Sequence, residues 1–148
     1  MRAVVQRVSR AACHVDGKTV GAVGLGFVVL LGVGRDDTDA DLELLAGKIV
    51  NLRVFEDGDG KMNLALQQVG GGVLLISQFT LYGDVRKGNR PSFAEAAPVD
   101  TAIEFYRKMA DRLAQDVPVQ TGQFQAMMEV ELVNAGPVTI LLDSRKTF

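Results

Sequence analysis

Two apolar runs constrain this chain more than anything else in it. Phe27 to Val33 reads FVVLLGV and Val73 to Ser77 reads VLLIS, and neither alternates as a strand with one wet face would. A strand apolar on both sides has to be covered on both sides. The chain therefore needs a sheet with something packed on each face, and it offers little helix for the task. Thr38, with Asp41 in the capping-box position, opens one helix that brings Leu42, Leu45, Ala46 and Ile49 to one side. Asp100 is expected to cap a second, with Ile103, Tyr106, Ala110 and Leu113 on one side and an end before Pro118. The remaining segments read as strand. RAVVQRV at 2–8 is β-rich, and Asp16-Gly17 marks a hairpin because glycine accepts the positive φ of a type I′ turn. RVFEDGDGKMN reads as a short strand followed by a turn-rich loop. Gly70 to Gly72 punctuates the chain before VLLIS, VRKGNRP at 85–91 is a loop, and two last strands, roughly 128–133 and 138–143, flank Gly136-Pro137. With no repeat or linker, the expectation is one α+β domain over 1–148, mostly strand, with two helices.

Such a chain is long enough for a real core, at 148 residues with 47% hydrophobic and 23% charged. Its net charge of −2 exerts no global pull on nucleic acid, so any RNA contact must be local. No apolar run approaches the ~20 residues that span a bilayer, and Arg2-Ala3-Val4 begins as strand rather than as a signal peptide. A single cysteine, Cys13, excludes an internal disulfide and fits a reducing compartment. A cytoplasmic chain without membrane contact is expected.

Several chemistries are missing. His14, the one histidine, neighbours Cys13 in an expected strand, where consecutive side chains face opposite ways. A zinc site from that pair does not follow, and a serine triad would have to use His14 as its base. GAVGLGFVV is not G-x-G-x-x-G and leads into a strand, G-x-x-x-x-G-K-[ST] is absent, and EDGDGKMN lacks the closing glutamate of a calcium loop. No metal and no cofactor is expected.

Two segments carry a signal. SQFTLYGD, Ser77 to Asp84, ends a buried strand with hydroxyls, an amide and backbone N–H groups close together, a cluster able to hold a carbonyl oxygen or a ribose. It could equally be a strand end that satisfies its own backbone. NAGPVTI, Asn134 to Ile140, puts a glycine and a proline before an apolar run, and by itself it reads as a turn. Together, with KIVNLRVFEDGDGKMN upstream and RKGNRPSF just after SQFTL, they resemble the D-aminoacyl-tRNA deacylase family from Met1 to Phe148. Two departures stand out: Gln125, where the family commonly has glycine, and Tyr82-Gly83, where smaller residues follow SQFTL.

The resemblance implies a mostly antiparallel, barrel-like sheet with two helices, a homodimer, and hydrolysis of the ester between a D-amino acid and the 3′-terminal adenosine of tRNA. Ser77, Gln78, Phe79 and Thr80 would be the catalytic segment, with the Phe79 and Thr80 N–H groups as oxyanion donors. Gly136 and Pro137, joined by a cis bond, would enter the partner's site, hold the substrate α-amino group and occupy the space an L side chain needs. Selection by rejection lets glycine pass, so glycyl-tRNA joins D-aminoacyl-tRNA as an expected partner. Met128 would pack near the adenine, and Arg86, Lys87 and Arg90 could touch phosphates near the acceptor end or simply form a solvated loop. Thr80 is the motif's nucleophile candidate, but without a histidine to activate it the terminal ribose 2′-OH fits the chemistry better.

Overall fold

The computed structural model describes residues 1–147. Its frame is a six-stranded mixed sheet built on β1 (Arg2–Val15), far longer than the expected 2–8 because the chain stays extended up to the Asp16-Gly17 turn. Asp16 and Gly17 both take positive φ there, and β2 (Lys18–Val23) returns antiparallel to β1. Next come β3 (Gly26–Gly32), α1 (Asp39–Asn51) and a separate two-stranded sheet of β4 (Phe55–Glu56) and β5 (Met62–Leu64). The second apolar run is β6 (Gly72–Ser77), followed by α2 (Val99–Leu113), β7 (Val119–Thr121) and β8 (Glu129–Asp143).

The strand order β2-β1-β3-β6-β7 leaves β8 against the other side of β1. The three ladders of β1 are antiparallel, whereas β3/β6 and β6/β7 are parallel. The two ends of the order approach each other: a Cβ added to Gly21 of β2 would lie 2.6 Å from the Thr121 carbonyl oxygen of β7. This is the barrel-like closure. The two parallel ladders sit where sequence showed uninterrupted apolar runs, since strands covered on both faces are what parallel pairing requires.

Side chains of β3 and β6 split accordingly. Phe27, Val29, Leu31, Val73 and Leu75 join the core under the helices, while Val28, Leu74 and Ile76 enter a second core with Val8, Ala11 and Cys13. Each helix closes the first core with one face: Leu42, Leu45, Ala46 and Ile49 from α1, and Phe105, Tyr106, Met109 and Leu113 from α2. Tyr106 also donates its hydroxyl to the Leu75 carbonyl at 2.8 Å, which pins α2 over β6; burial pushes its phenol up to about 12.

The Thr38 cap works as expected, with the Thr38 N–H donating to Asp41 Oδ2 at 2.8 Å. Burial opposes the Asp41 charge, but hydrogen bonds from Ser144 and Thr38 outweigh it and hold the carboxyl at about 2. Asp100 is not the second cap. Pro98 is, and its carbonyl accepts the Ala102 N–H at 2.9 Å, leaving Asp100 in the first turn beside the positive end of the helix dipole.

The largest departure concerns the C-terminal segment. Gly136-Pro137 does not separate two strands: β8 runs through it without a break. The β1/β8 register slips between Gln6 and Val8 and again between Val8 and Arg10, so the segment lies in an irregular stretch of the ladder. Proline is tolerated because β8 is an edge strand, paired with β1 alone. Among the described residues, no helix is long and apolar enough to cross a membrane.

Candidate active site

Strand β6 delivers the SQFTL segment. Its parallel partner β3 ends beside it, and the Gln78 N–H donates to the Leu31 carbonyl at 2.7 Å, fixing the point where the strand stops. Gln78 (φ −144°, ψ 76°) then turns the chain into a 3-10 turn, Phe79–Tyr82. The first bond of that turn is from Leu81 N–H to Gln78 O at 3.3 Å. The N–H groups of Phe79 and Thr80 precede it and are not used by the turn itself. Arg2 braces the far end, with Nη1 donating to Leu81 O at 3.0 Å and the guanidinium carbon 4.6 Å from the Tyr82 ring centroid.

A cavity of about 790 Å³ opens at this strand end. Ser77, Gln78 and Phe79 line it together with Met128 and Val130, and Phe93, Phe124 and the 96–99 segment complete the lining. Phe79 is half exposed and meets Phe93 edge to face, with ring centroids 5.0 Å apart. The walls are mostly apolar, and the lining contains no carboxylate and no histidine. Such a space suits a flat aromatic group, with polar side chains supplied by Ser77, Gln78, Gln125 and Arg35.

Of the residues singled out from sequence, Ser77, Gln78, Phe79 and Met128 therefore meet in one cavity. Thr80 is exposed and adjoins the wall without lining it; its hydroxyl accepts a hydrogen bond from the Gln78 amide. His14 takes no part in it: its Nδ1 is 3.1 Å from Thr19 Oγ1, and the residue does not line this cavity. Cys13 faces the other way, fully buried, and burial raises its thiol pKa. No cluster of three or more metal-ligating side chains occurs among the described residues.

Gly136 and Pro137 do not line the cavity of their own chain. Both are exposed, on β8, and the bond between them is cis. The neighbouring backbone is held from beneath: Arg7, buried in β1, donates from Nε to Ala135 O at 3.0 Å and from Nη1 to Val54 O. Gly136 has φ +120°, and a Cβ there would fall 2.6 Å from Arg7 Nη2 and 2.9 Å from Val138 Cγ2. Only glycine fits that backbone over that guanidinium. The Asn134 side chain satisfies both its ends with its amide nitrogen turned to Arg7 O (2.9 Å) and Val138 O (3.2 Å).

The basic loop divides. Arg86 is clamped on Asp84, with Nη2 2.6 Å from Oδ2 and Nε within 3.0 Å of both carboxylate oxygens, and these bonds hold the Asp84 carboxyl at about 2. Lys87 and Arg90 are exposed and do not line this cavity. The residues that sequence reasoning missed are Phe93, Phe124 and Arg35. Phe93 stands in RKGNRPSF, but nothing in its neighbours distinguishes a wall residue from a loop residue. Gln125 has φ +61°, the left-handed region, which explains why a glycine suits this place.

Comparison with known proteins identifies the family. Residues 4–143 match the family model described as D-Tyr-tRNA(Tyr) deacylase. The chain is 60% identical over 148 residues to a D-aminoacyl-tRNA deacylase of Kosmotoga olearia, covering all of both chains. It is also 60% identical over 149 residues to one of Anaeromyxobacter dehalogenans, again over all of both. Among solved structures, the c-Myc DNA unwinding element binding protein superposes with a TM-score of 0.92 at 43% identity, covering 97% of this chain and 98% of the other.

Proposed function

The chain belongs to the D-Tyr-tRNA(Tyr) deacylase family, and on that premise we propose that it hydrolyses the ester joining a D-amino acid, or glycine, to the 3′-terminal adenosine of tRNA. The observation that carries this reading is the pairing of an apolar cavity with the N–H groups of Phe79 and Thr80 at its edge. The adenine fills the cavity beside Met128. The ester carbonyl lies at the Ser77–Thr80 turn, where the two N–H groups stabilise the oxyanion of the tetrahedral intermediate. Water attacks with help from the ribose 2′-OH, because neither histidine nor carboxylate lines the cavity.

Chirality is read by a second copy of the chain. Exposed Gly136-Pro137, which does not line its own cavity and lies on a strand with a free edge, supports a homodimer in which this segment enters the partner's site. Its carbonyl oxygens accept the substrate α-ammonium and fill the space of an L side chain. A D side chain points outward, and glycine has nothing to be rejected. The enzyme then acts as a chiral proofreader of translation, in the cytoplasm where aminoacyl-tRNA is used.

The test is hydrolysis of D-aminoacyl-, glycyl- and L-aminoacyl-tRNA by the purified protein, with its mass in solution measured alongside. Loss of the D and glycyl esters with the L ester spared, by a dimer, is the expected result. Equal cleavage of D and L esters would refute the chiral reading. Binding of nucleic acid without any hydrolysis would favour a purely binding role, such as the name of the DNA unwinding element binding protein describes for that relative.

A further inference from the structure

Beside the active-site cavity lies a second one, of about 560 Å³, whose lining includes Arg2, Arg35, Arg86 and Arg145. Three of these have carboxylate partners: Arg2 with Asp143 (3.5 Å), Arg86 with Asp84 (2.6 Å) and Arg145 with Asp36 (3.9 Å) and Asp37 (3.7 Å). Arg35 differs in two ways. It is the one residue that lines both cavities, and among the described residues its guanidinium makes no ion pair, only a hydrogen bond from Nη2 to the Ala94 carbonyl. The backbone around it is fixed, with Arg35 N–H donating to Glu95 O at 3.0 Å and Gly34 N–H to the buried Asp37 carboxylate at 2.6 Å.

We propose that Arg35 binds a backbone phosphate of the RNA just before the terminal adenosine, and that the second cavity receives the single-stranded nucleotides leading to it. The inference rests on the reading above, which seats the terminal adenosine in the larger cavity. From there the chain has to leave past a boundary, and Arg35 stands on the boundary between the two cavities. A guanidinium without a carboxylate partner has several N–H donors to offer a phosphodiester and loses no existing ion pair by doing so. Contacts of this kind fix register without reading sequence, as an enzyme serving many tRNAs requires. Glu95, the lining carboxylate without an ion pair among the described residues, faces the same space and opposes the anion. The expected phosphate contact thus moves from the 85–91 loop, where Arg86 is already committed to Asp84, to the chain end of β3.

The experiment measures binding of an uncharged RNA hairpin carrying the single-stranded 3′ tail of tRNA, across a range of salt concentrations. It compares wild type, Arg35→Gln, Glu95→Gln and Arg86→Gln. Arg35→Gln should weaken binding about tenfold at low salt and reduce the slope of log affinity against log salt by about 0.7, the value for one single-strand phosphate contact. Glu95→Gln should tighten binding about threefold, and Arg86→Gln should change it less than Arg35→Gln does. An unchanged salt slope in Arg35→Gln, or an effect of Arg86→Gln equal to it, would overturn the proposal. Because uncharged RNA is the probe, failure to hydrolyse any ester would sink the deacylase reading while leaving this measurement to decide on Arg35 alone.

Discussion

Arg7 Nε donates to the Ala135 carbonyl at 3.0 Å, so a buried guanidinium of β1 holds the residue just before the exposed Gly136-Pro137 segment. The same side chain reaches Val54 O, beyond the main sheet. One residue therefore ties the segment proposed to read chirality to the core of its own chain. A contact made from below leaves the outer surface of the segment for a partner.

Removing that tie should cost both stability and selectivity. Arg7→Ala leaves the buried Val54 carbonyl and the half-buried Ala135 carbonyl without their donor, and a buried unsatisfied group costs about 1–3 kcal/mol. Arg7→Lys keeps the charge but not the fork that spans two acceptors, so it should recover part of the stability and little of the activity. Urea unfolding, set beside kcat/KM on D-aminoacyl-tRNA, separates the two losses. Full activity in Arg7→Lys would show that the segment places itself.

Gly136→Ala tests the same contact from the other partner. The new methyl would meet Arg7 Nη2 at 2.6 Å and Val138 Cγ2 at 2.9 Å, on a backbone with φ +120°. Such a conformation costs a non-glycine residue on the order of 1–3 kcal/mol before any contact is counted. The variant should melt lower and lose hydrolysis of D-aminoacyl-tRNA. Unaltered melting and turnover would mean that neither the close approach nor the segment matters.

Gln125→Gly should act in the opposite direction. At φ +61° a side-chain-bearing residue costs about 1–2 kcal/mol, while glycine gives the unfolded chain freedom worth about 0.4–1 kcal/mol. The balance is a gain of roughly 0.5 kcal/mol, readable in the urea midpoint. Because Gln125 also lines the cavity, KM should shift as well. A destabilised variant would indicate that the glutamine side chain contributes more than its backbone strain removes.

What could be read ahead of the structure follows from how local each signal is. FVVLLGV and VLLIS announce burial on both faces because pattern alone encodes it, and Thr38 with Asp41 encodes a helix start within four residues. The continuity of β8 through Gly136-Pro137 was not legible. It depends on Arg7 holding the irregular stretch from β1, and nothing near residue 136 in sequence reports that partner. Asp100 looked like a cap because capping residues favour helix starts, but Pro98, with its fixed φ, begins the helix two residues earlier. SQFTL was visible as a cluster of chemistry. The cavity beside it was not, since its walls come from three distant segments.

The last prediction concerns which hydroxyl activates the attacking water. Thr80 is exposed, its oxygen accepts from the Gln78 amide, and no histidine or carboxylate of the cavity can take its proton. An unactivated threonine is a poor nucleophile. The substrate carries a 2′-OH next to the scissile ester, held by its own ribose. Thr80→Ala should therefore keep much of the single-turnover rate, because the backbone N–H groups of Phe79 and Thr80 survive the change. A 2′-deoxy terminal adenosine, in a linkage that cannot migrate between ribose oxygens, should lose roughly 10²–10³ in rate, as expected when one group serving a developing charge is removed. The four combinations of enzyme and substrate form a cycle. If the ribose alone does this work, the deoxy penalty is the same with threonine or alanine at position 80. The reverse pattern, an inactive Thr80→Ala with a fully active deoxy substrate, would make Thr80 the nucleophile and require a base outside this cavity.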